Sequence, residues 1–366
     1  MKKYEKIYNL LKSEILSGGY AYGAKLPSKR TVAAENGVSL STAETALDIL
    51  RSEGYIDSAE RSGFFCAYRA GDFVFPADVP ESSSKKNAFA PPMPPSFEKS
   101  AEDAAPRGNF PFTSYARAVR RVLSEYAEKL LEKPPKNGVP ELKTALKNYL
   151  LRSRALKVSE NQIVIGAGAE YLYGVIAELL GTDKIYGTES PSYSQIARVY
   201  AAKGAKVRLL QIGENGILSA ELAATDANVL HVTPYRSYPT LATANATKKA
   251  EYLRFAREKN GYVVEDDYLS EFSPYMKPAE TLFGADTEGR VIYVNTFSKT
   301  LSPALRVGYM LLPPELARRY EEKLGFYSCP VPAPEQYVLA ELLSDGAFER
   351  HVNRLRRKLR NSVPHA

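Results

Sequence analysis

Apolar residues recur at Tyr4, Ile7, Leu10, Leu11 and Ile15, the three- and four-residue spacing of one helix face, and Gly18-Gly19 stops the run. A short helix is expected next, over about Ser28 to Asn36, with Ser28 as its cap and Val32 and Ala33 facing inward. Gly37-Val-Ser39 makes a turn. Ser39 or Ser41 then caps a third helix, in which Ala43, Ala46, Leu47 and Leu50 share a face. After Gly54 come two β-prone runs, Tyr55-Ile-Asp57 and Gly63-Phe-Phe-Cys66, with a polar turn between them. Three helices and a β-hairpin predict a winged helix-turn-helix over residues 1–69.

Hydrophobic periodicity then lapses. Residues 70–108 include FPADVPESSSKKNAFAPPMPPSFEKSAEDAAPRG, where proline removes backbone donors and fixes φ, so an extended linker is expected. From Asn109 onward seven β-rich runs alternate with helical ones. They are Gln162–Gly166, Lys184–Gly187, Lys206–Leu210, Asn228–Val232, Gly261–Glu265, Val291–Asn295 and Val307–Leu311. Helical patterns fill most gaps, notably Glu170 to Leu180, Ser192 to Ala202 and Lys248 to Lys259. Such alternation predicts an α/β domain over 109–366 with a mostly parallel seven-stranded sheet covered on both faces. Its site is expected beyond the carboxyl ends of the strands.

Composition narrows the class without choosing a function. The chain has 366 residues, 44% hydrophobic and 25% charged, and no stretch of about 18 apolar residues, so no membrane partner is expected. Cys66 and Cys329 are far apart and the three histidines are scattered, so neither a disulfide framework nor a metal site is expected. The formal net charge of +7 permits nucleic acid but sits in the wrong place to diagnose it. Residues 1–70 hold ten Lys or Arg against eight Asp or Glu, a net of +2, while Glu349 to Arg360 holds six basic residues against one acidic.

Candidate chemistry gathers around Asn295-Thr-Phe-Ser-Lys299-Thr-Leu-Ser-Pro-Ala-Leu-Arg306. A lysine just after a buried strand, among hydroxyls and followed by an arginine, suits a Schiff base with an aldehyde cofactor. Arg306 would neutralise a cofactor phosphate, helped by Thr296 and Ser298. Read alone, Lys299 is an ordinary loop lysine; three companions change that. Val264-Glu-Asp-Asp-Tyr268 ends a strand, and an acid there can hold a pyridine nitrogen protonated. Asp266 is assigned that role, with Asp267 as the alternative, and Tyr268 the phenolic oxygen. Gly166-Ala-Gly168-Ala169-Glu170 leads from a strand into a helix whose N-terminus can take a phosphate. Tyr193 offers an aromatic face for a ring to stack on.

Two resemblances follow from these residues. Leu26-Pro-Ser-Lys-Arg30, Gly37-Val-Ser-Leu-Ser-Thr42, Glu53-Gly-Tyr55 and Ser62-Gly-Phe64 resemble the GntR-type head across the first 66 residues. That resemblance implies that Ser28, Lys29 and Arg30 contact phosphates and that Ser39, Ser41 and Thr42 enter the major groove. It also implies that the wing around Arg61 and Gly63 touches the minor groove. Family members often carry arginine where Leu40 stands, so the operator sequence does not transfer. The later motifs, including Glu265-Asp-Asp-Tyr-Leu-Ser-Glu-Phe272 and Thr296-Phe-Ser-Lys-Thr-Leu301, resemble fold-type I aminotransferases. Joined to such a head, the chain resembles the MocR group of regulators. The resemblance implies pyridoxal 5'-phosphate on Lys299, double-stranded operator DNA, a homodimer, a cytoplasmic setting, and the cofactor or a small amino compound as effector. An aminotransferase with a DNA-binding appendage and a DNA-binding protein with a purely dimerising body are the alternatives.

Two departures qualify the resemblance. Arg236, Ser237 and Leu241 stand where the family usually shows histidine, glutamine and glycine. Arg236 is read as an exposed arginine in a solvated turn, with capture of an effector carboxylate as the alternative. The sequence ends at Ala366, where the resemblance leads one to expect a small domain carrying a substrate-clamping arginine. An open pocket is therefore expected, in which cofactor binding survives better than turnover.

Overall fold

The computed structural model describes residues 3–52, 55–59, 63–67, 109–272 and 281–362. They gather into two compact units, one from the described residues of 1–88 and 345–366, the other from those of 89–273 and 278–344.

In the first unit, helices α1 (Lys3–Leu16) and α2 (Lys29–Glu35) pack on α3 (Leu40–Ser52). Ile7, Leu11, Ile15, Val32, Ala33, Ala43, Ala46, Leu47 and Leu50 share one core with Leu26, Ile56 and Cys66. Leu10 departs from the expected inward face and is exposed, because 3.6 residues per turn set it about 100° from Leu11, which takes the buried position. Strands β1 (Ile56–Ala59) and β2 (Gly63–Cys66) pair antiparallel, Ile56 opposite Cys66 and Ala59 opposite Gly63. Lys25 adds a bridge to Phe65. Arg61 in the wing turn and the expected linker 70–108 lie outside the described residues.

The second unit is built on an eight-stranded sheet in the order β3-β10-β9-β8-β7-β4-β5-β6. Its strands are β3 (Ile163–Gly166), β4 (Ile185–Ser190), β5 (Lys206–Gly213), β6 (Gly216–Ile217), β7 (Val229–Val232), β8 (Tyr262–Asp266), β9 (Val291–Thr296) and β10 (Gly308–Leu311). All seven expected strands are present. The eighth, β6, is a two-residue edge strand antiparallel to β5, too short to leave an alternating pattern in the sequence. Apart from it, only β10 runs against its neighbours, β3 and β9.

Consecutive strand residues alternate between two cores, as the two-residue repeat of a sheet buried on both faces requires. Val229, Val264 and Ile292 join one core, while Leu230, Val263 and Val291 join the other. Four helices precede the middle of the sheet, α4 (Phe112–Tyr126), α5 (Pro140–Arg154), α6 (Ala169–Leu180) and α7 (Ser194–Ala202), and α6 and α7 feed the first core. The second core is closed by α8 (Ser219–Ala224), α9 (Ala246–Glu258) and α10 (Leu282–Ala285). Helix α11 (Pro314–Leu324) returns to the first core, and α12 (Ala333–Ser344) packs on α4 and α5. The last helix, α13 (Ala347–Ser362), groups with the first unit.

Because β3, β4, β7, β8 and β9 run the same way, Gly166, Ser190, Val232, Asp266 and Thr296 end on a single edge of the sheet. That edge holds the cavity.

Candidate functional site

A cavity of about 200 Å³ opens at these strand ends, and its wall includes Ala169, Glu170, Tyr193, Asp266, Tyr268, Thr296, Ser298, Lys299 and Arg306. Nine of the ten residues singled out for a cofactor therefore meet around one space. The tenth, Gly168, caps α6 at φ +88, and a Cβ there would stand 3.1 Å from Nη2 of Arg306. The first N–H groups of α6 have no acceptor within the helix, and Ala169 and Glu170 of that first turn line the cavity with Arg306.

Asp266 ends β8 and is buried. The Tyr173 hydroxyl donates to its Oδ2, and Nε2 of His231 stands 3.6 Å from the same oxygen. Nδ1 of His231 is in turn 2.8 Å from the Tyr200 hydroxyl. Oδ1 of Asp266 is buried without a hydrogen-bond partner among the described residues. The neighbouring acid is spoken for: Asp267 Oδ2 accepts from Nη2 of Arg154 at 2.6 Å and from the Tyr293 hydroxyl at 2.7 Å. Asn295, which also contacts Tyr293, donates to Glu271 at 2.8 Å. Of the two acids left open by the sequence, Asp266 lines the cavity and Asp267 belongs to this buried network.

The rim is polar. Tyr193 donates to Oε1 of Glu170 at 3.0 Å, and Arg306 Nη2 lies 3.6 Å from Oε2 of the same carboxylate. Burial and that bond to Glu170 push the Tyr193 phenol up to about 12. Tyr268 donates to the carbonyl of Arg236 at 3.1 Å, and burial holds its phenol above the usual range.

Arg236 corrects the expectation of an exposed side chain, for it is only 9% exposed. The bridge from Ser237 to Ala242 folds its turn back on itself, its N–H donates to Oγ1 of Thr243, and Nε is buried without a partner among the described residues.

Sequence reasoning missed Tyr173, Ile196, Thr233, Tyr238 and Pro303, all in the cavity wall. Tyr173 was within reach: it follows Ala169 by four residues on the helix that opens at the glycine turn, hence on the same face. Thr233 directly follows the carboxyl end of β7.

In the first unit, Ser28 caps α2, accepting from the Thr31 N–H at 3.2 Å, and Lys29 pairs with Glu44 of α3 at 2.8 Å. Arg30 is exposed. Ser39 accepts from the Thr42 N–H at 3.3 Å and shares hydroxyl bonds with Ser41 at 3.1 Å and Thr42 at 2.8 Å. Ser39 is therefore the cap of α3, and Ser41 is exposed in its first turn. Gly63 opens β2 at φ +105, a backbone state that favours glycine.

Comparison with known proteins places both units. Residues 3–66 match the family described as bacterial regulatory proteins of the gntR family, and residues 104–364 match aminotransferase class I and II. The HTH-type transcriptional regulator YdeL of Bacillus subtilis is 30% identical over 98% of this chain and 76% of its own length. The protein named "Probable rhizopine catabolism regulatory protein MocR" of Rhizobium meliloti is 30% identical over 97% of this chain and 74% of its own length. Among solved structures, LysN, an alpha-aminoadipate aminotransferase of Thermus thermophilus, is 26% identical with a TM-score of 0.59 over 69% of this chain. An archaeal alanine:glyoxylate aminotransferase gives a TM-score of 0.63 at 24% identity, over 69% of this chain. The chain spans just under two thirds of these two enzymes, 65% of the first and 64% of the second. The chain thus belongs to the aminotransferase class I and II family and, with its gntR-family head, to the MocR group of transcription regulators.

Proposed function

We propose that this chain is a transcription regulator whose head binds operator DNA, as a homodimer in the cytoplasm, and whose body senses pyridoxal 5'-phosphate, alone or together with a small amino compound. The observation that carries the cofactor half is the buried Oδ1 of Asp266, without a partner among the described residues, in the wall of the cavity that Lys299 also lines. A buried carboxylate oxygen without a donor is costly, and a protonated ring nitrogen is the donor that would satisfy it.

The rest of the cavity fits the same group. Lys299 offers an amine, Thr296 and Ser298 offer hydroxyls, and Arg306 with the N-terminus of α6 offers cations and N–H donors for a phosphate. Tyr193 lies along the wall where a flat ring can stack, and Tyr268 brings a phenol within the same space. LysN was solved with N-(5'-phosphopyridoxyl)-L-leucine, which supports the reading for a body of this fold. Pyridoxal phosphate supplies an aldehyde that takes an amine covalently and a ring that draws electrons from it. Lys299 would hold the aldehyde end, Asp266 the ring nitrogen, and Gly168, Ala169, Glu170 and Arg306 the phosphate end.

Regulation follows if occupancy shifts the balance between arrangements of the body, with residues 70–108 passing that bias to the head. The test is spectroscopic and functional. The purified protein should gain an absorbance band at roughly 400 to 430 nm on adding pyridoxal phosphate, and Lys299→Ala should lack it. DNA affinity should change with the cofactor in wild type only. A protein that stays colourless removes the sensor reading, and sustained turnover of amino donors with a keto acid would favour an aminotransferase instead.

A further inference from the structure

We propose that Leu40 reads the operator by its side chain, taking the 5-methyl group of a thymine, so that each half-site carries an A·T pair opposite the first turn of α3. The inference rests on the DNA-binding reading above and adds a specificity to it.

Leu40 is the first residue of α3 and is 42% exposed, whereas Ala43, Ala46, Leu47 and Leu50 of the same helix are buried in the head's core. It contributes nothing to that core. The other exposed residues of the first three turns are Ser41, Glu44, Thr45 and Asp48. None can make the forked contact by which arginine or lysine reads guanine, or asparagine or glutamine reads adenine.

The polar groups are also partly committed. Thr45 donates to the Ser41 carbonyl at 2.9 Å, and Glu44 is held by Lys29 at 2.8 Å. Arg51, the sole cation of α3, lies in the last turn and pairs with Asp48 at 3.0 Å. The leading turn therefore offers an apolar side chain flanked by the hydroxyls of Ser39 and Ser41. On the major-groove edges of the bases, the thymine methyl is the apolar feature that such a side chain can bury.

The experiment uses the whole protein and a pool of random-sequence duplexes, from which bound DNA is selected. Each thymine of the selected site is then replaced by deoxyuridine, which removes only the methyl. Wild type should lose about fourfold in affinity at one A·T position in each half-site, the worth of one buried methyl. Leu40→Ala should bind the thymine site more weakly and ignore that methyl. Leu40→Arg, selected afresh, should enrich G·C at the same position. Leu40 is exposed, so both variants should keep the wild-type circular dichroism.

Equal binding of wild type to every deoxyuridine-substituted site overturns the proposal, as does a methyl effect that survives in Leu40→Ala. A selection that enriches no sequence, with the same salt-dependent background binding for all three proteins, removes the operator reading itself.

Discussion

Arg154 donates from Nη2 to Oδ2 of Asp267 across 2.6 Å, with side chains only 3% and 5% exposed. This pair gives two consecutive acids different surroundings. Asp267 is held by Arg154 and Tyr293, and Asp266, one residue earlier at the end of β8, takes the cavity side. Removing one partner of a buried ion pair strands the other charge. Arg154→Met should therefore cost about 3–5 kcal/mol of stability, and adding Asp267→Asn should restore a large part of it. Urea unfolding of the two variants tests this, and a single-variant loss below about 1 kcal/mol would contradict it.

The Tyr173 hydroxyl donates to Asp266, so it shares in holding the carboxylate that would face the cofactor ring. Hydrogen bonds to charged groups are worth roughly 1.5–3 kcal/mol, and Tyr173→Phe should weaken binding of pyridoxal phosphate by about tenfold or more. Tyr200→Phe is the control, because its hydroxyl meets His231 instead of Asp266. It should lower stability while leaving cofactor affinity within about twofold. Spectroscopic titration of both variants makes the comparison, and equal losses would deny Tyr173 its role.

Much of this organisation was legible in the residues. All seven strands in the pattern are real because a sheet buried on both faces needs near-continuous apolar runs, such as Val263-Val264 and Val291-Ile292. The cavity was legible for the same reason: its groups follow strand ends, and strand ends are where apolar runs stop. What escaped depends on long-range packing. Nothing near Arg154 in the sequence announces its bond to Asp267, which lies 113 residues away. Arg236 looked solvated because its turn is rich in polar residues, and only the backward fold through Ser237 and Ala242 buries it.

Glu189 gives the body a pH dependence. Burial pushes its carboxyl up to about 7, against the opposing hydrogen bonds from Ser237 and the Thr233 backbone. In the unfolded chain it titrates near 4.5, so between about pH 4.5 and 7 the folded state holds a proton that the unfolded state has lost. Its contribution is complete below the unfolded value and declines as pH rises through about 7. Glu189→Gln cannot ionise. The stability difference between wild type and variant should therefore move against wild type from pH 5 to pH 8, by on the order of 1–3 kcal/mol. A difference that is flat across that range would show that the carboxyl titrates normally.

Gly168 separates two costs that a single substitution usually mixes. At φ +88 any side chain is strained, and a Cβ there would also press within 3.1 Å of the Arg306 guanidinium. Gly204 shares the first condition at φ +87 but has nothing within 4 Å of a built Cβ. Each alanine variant should lose about 1–2 kcal/mol of stability from backbone strain. Only Gly168→Ala should also make the Arg306 guanidinium give way, at the end of the cavity proposed for the phosphate. Its affinity for pyridoxal phosphate should fall several-fold, as expected for a weakened charge-assisted contact, while Gly204→Ala keeps wild-type affinity. Thermal unfolding and cofactor titration on the pair distinguish the two effects. If both variants bind the cofactor equally well, Arg306 is not the phosphate ligand and that end of the cavity must be reassigned.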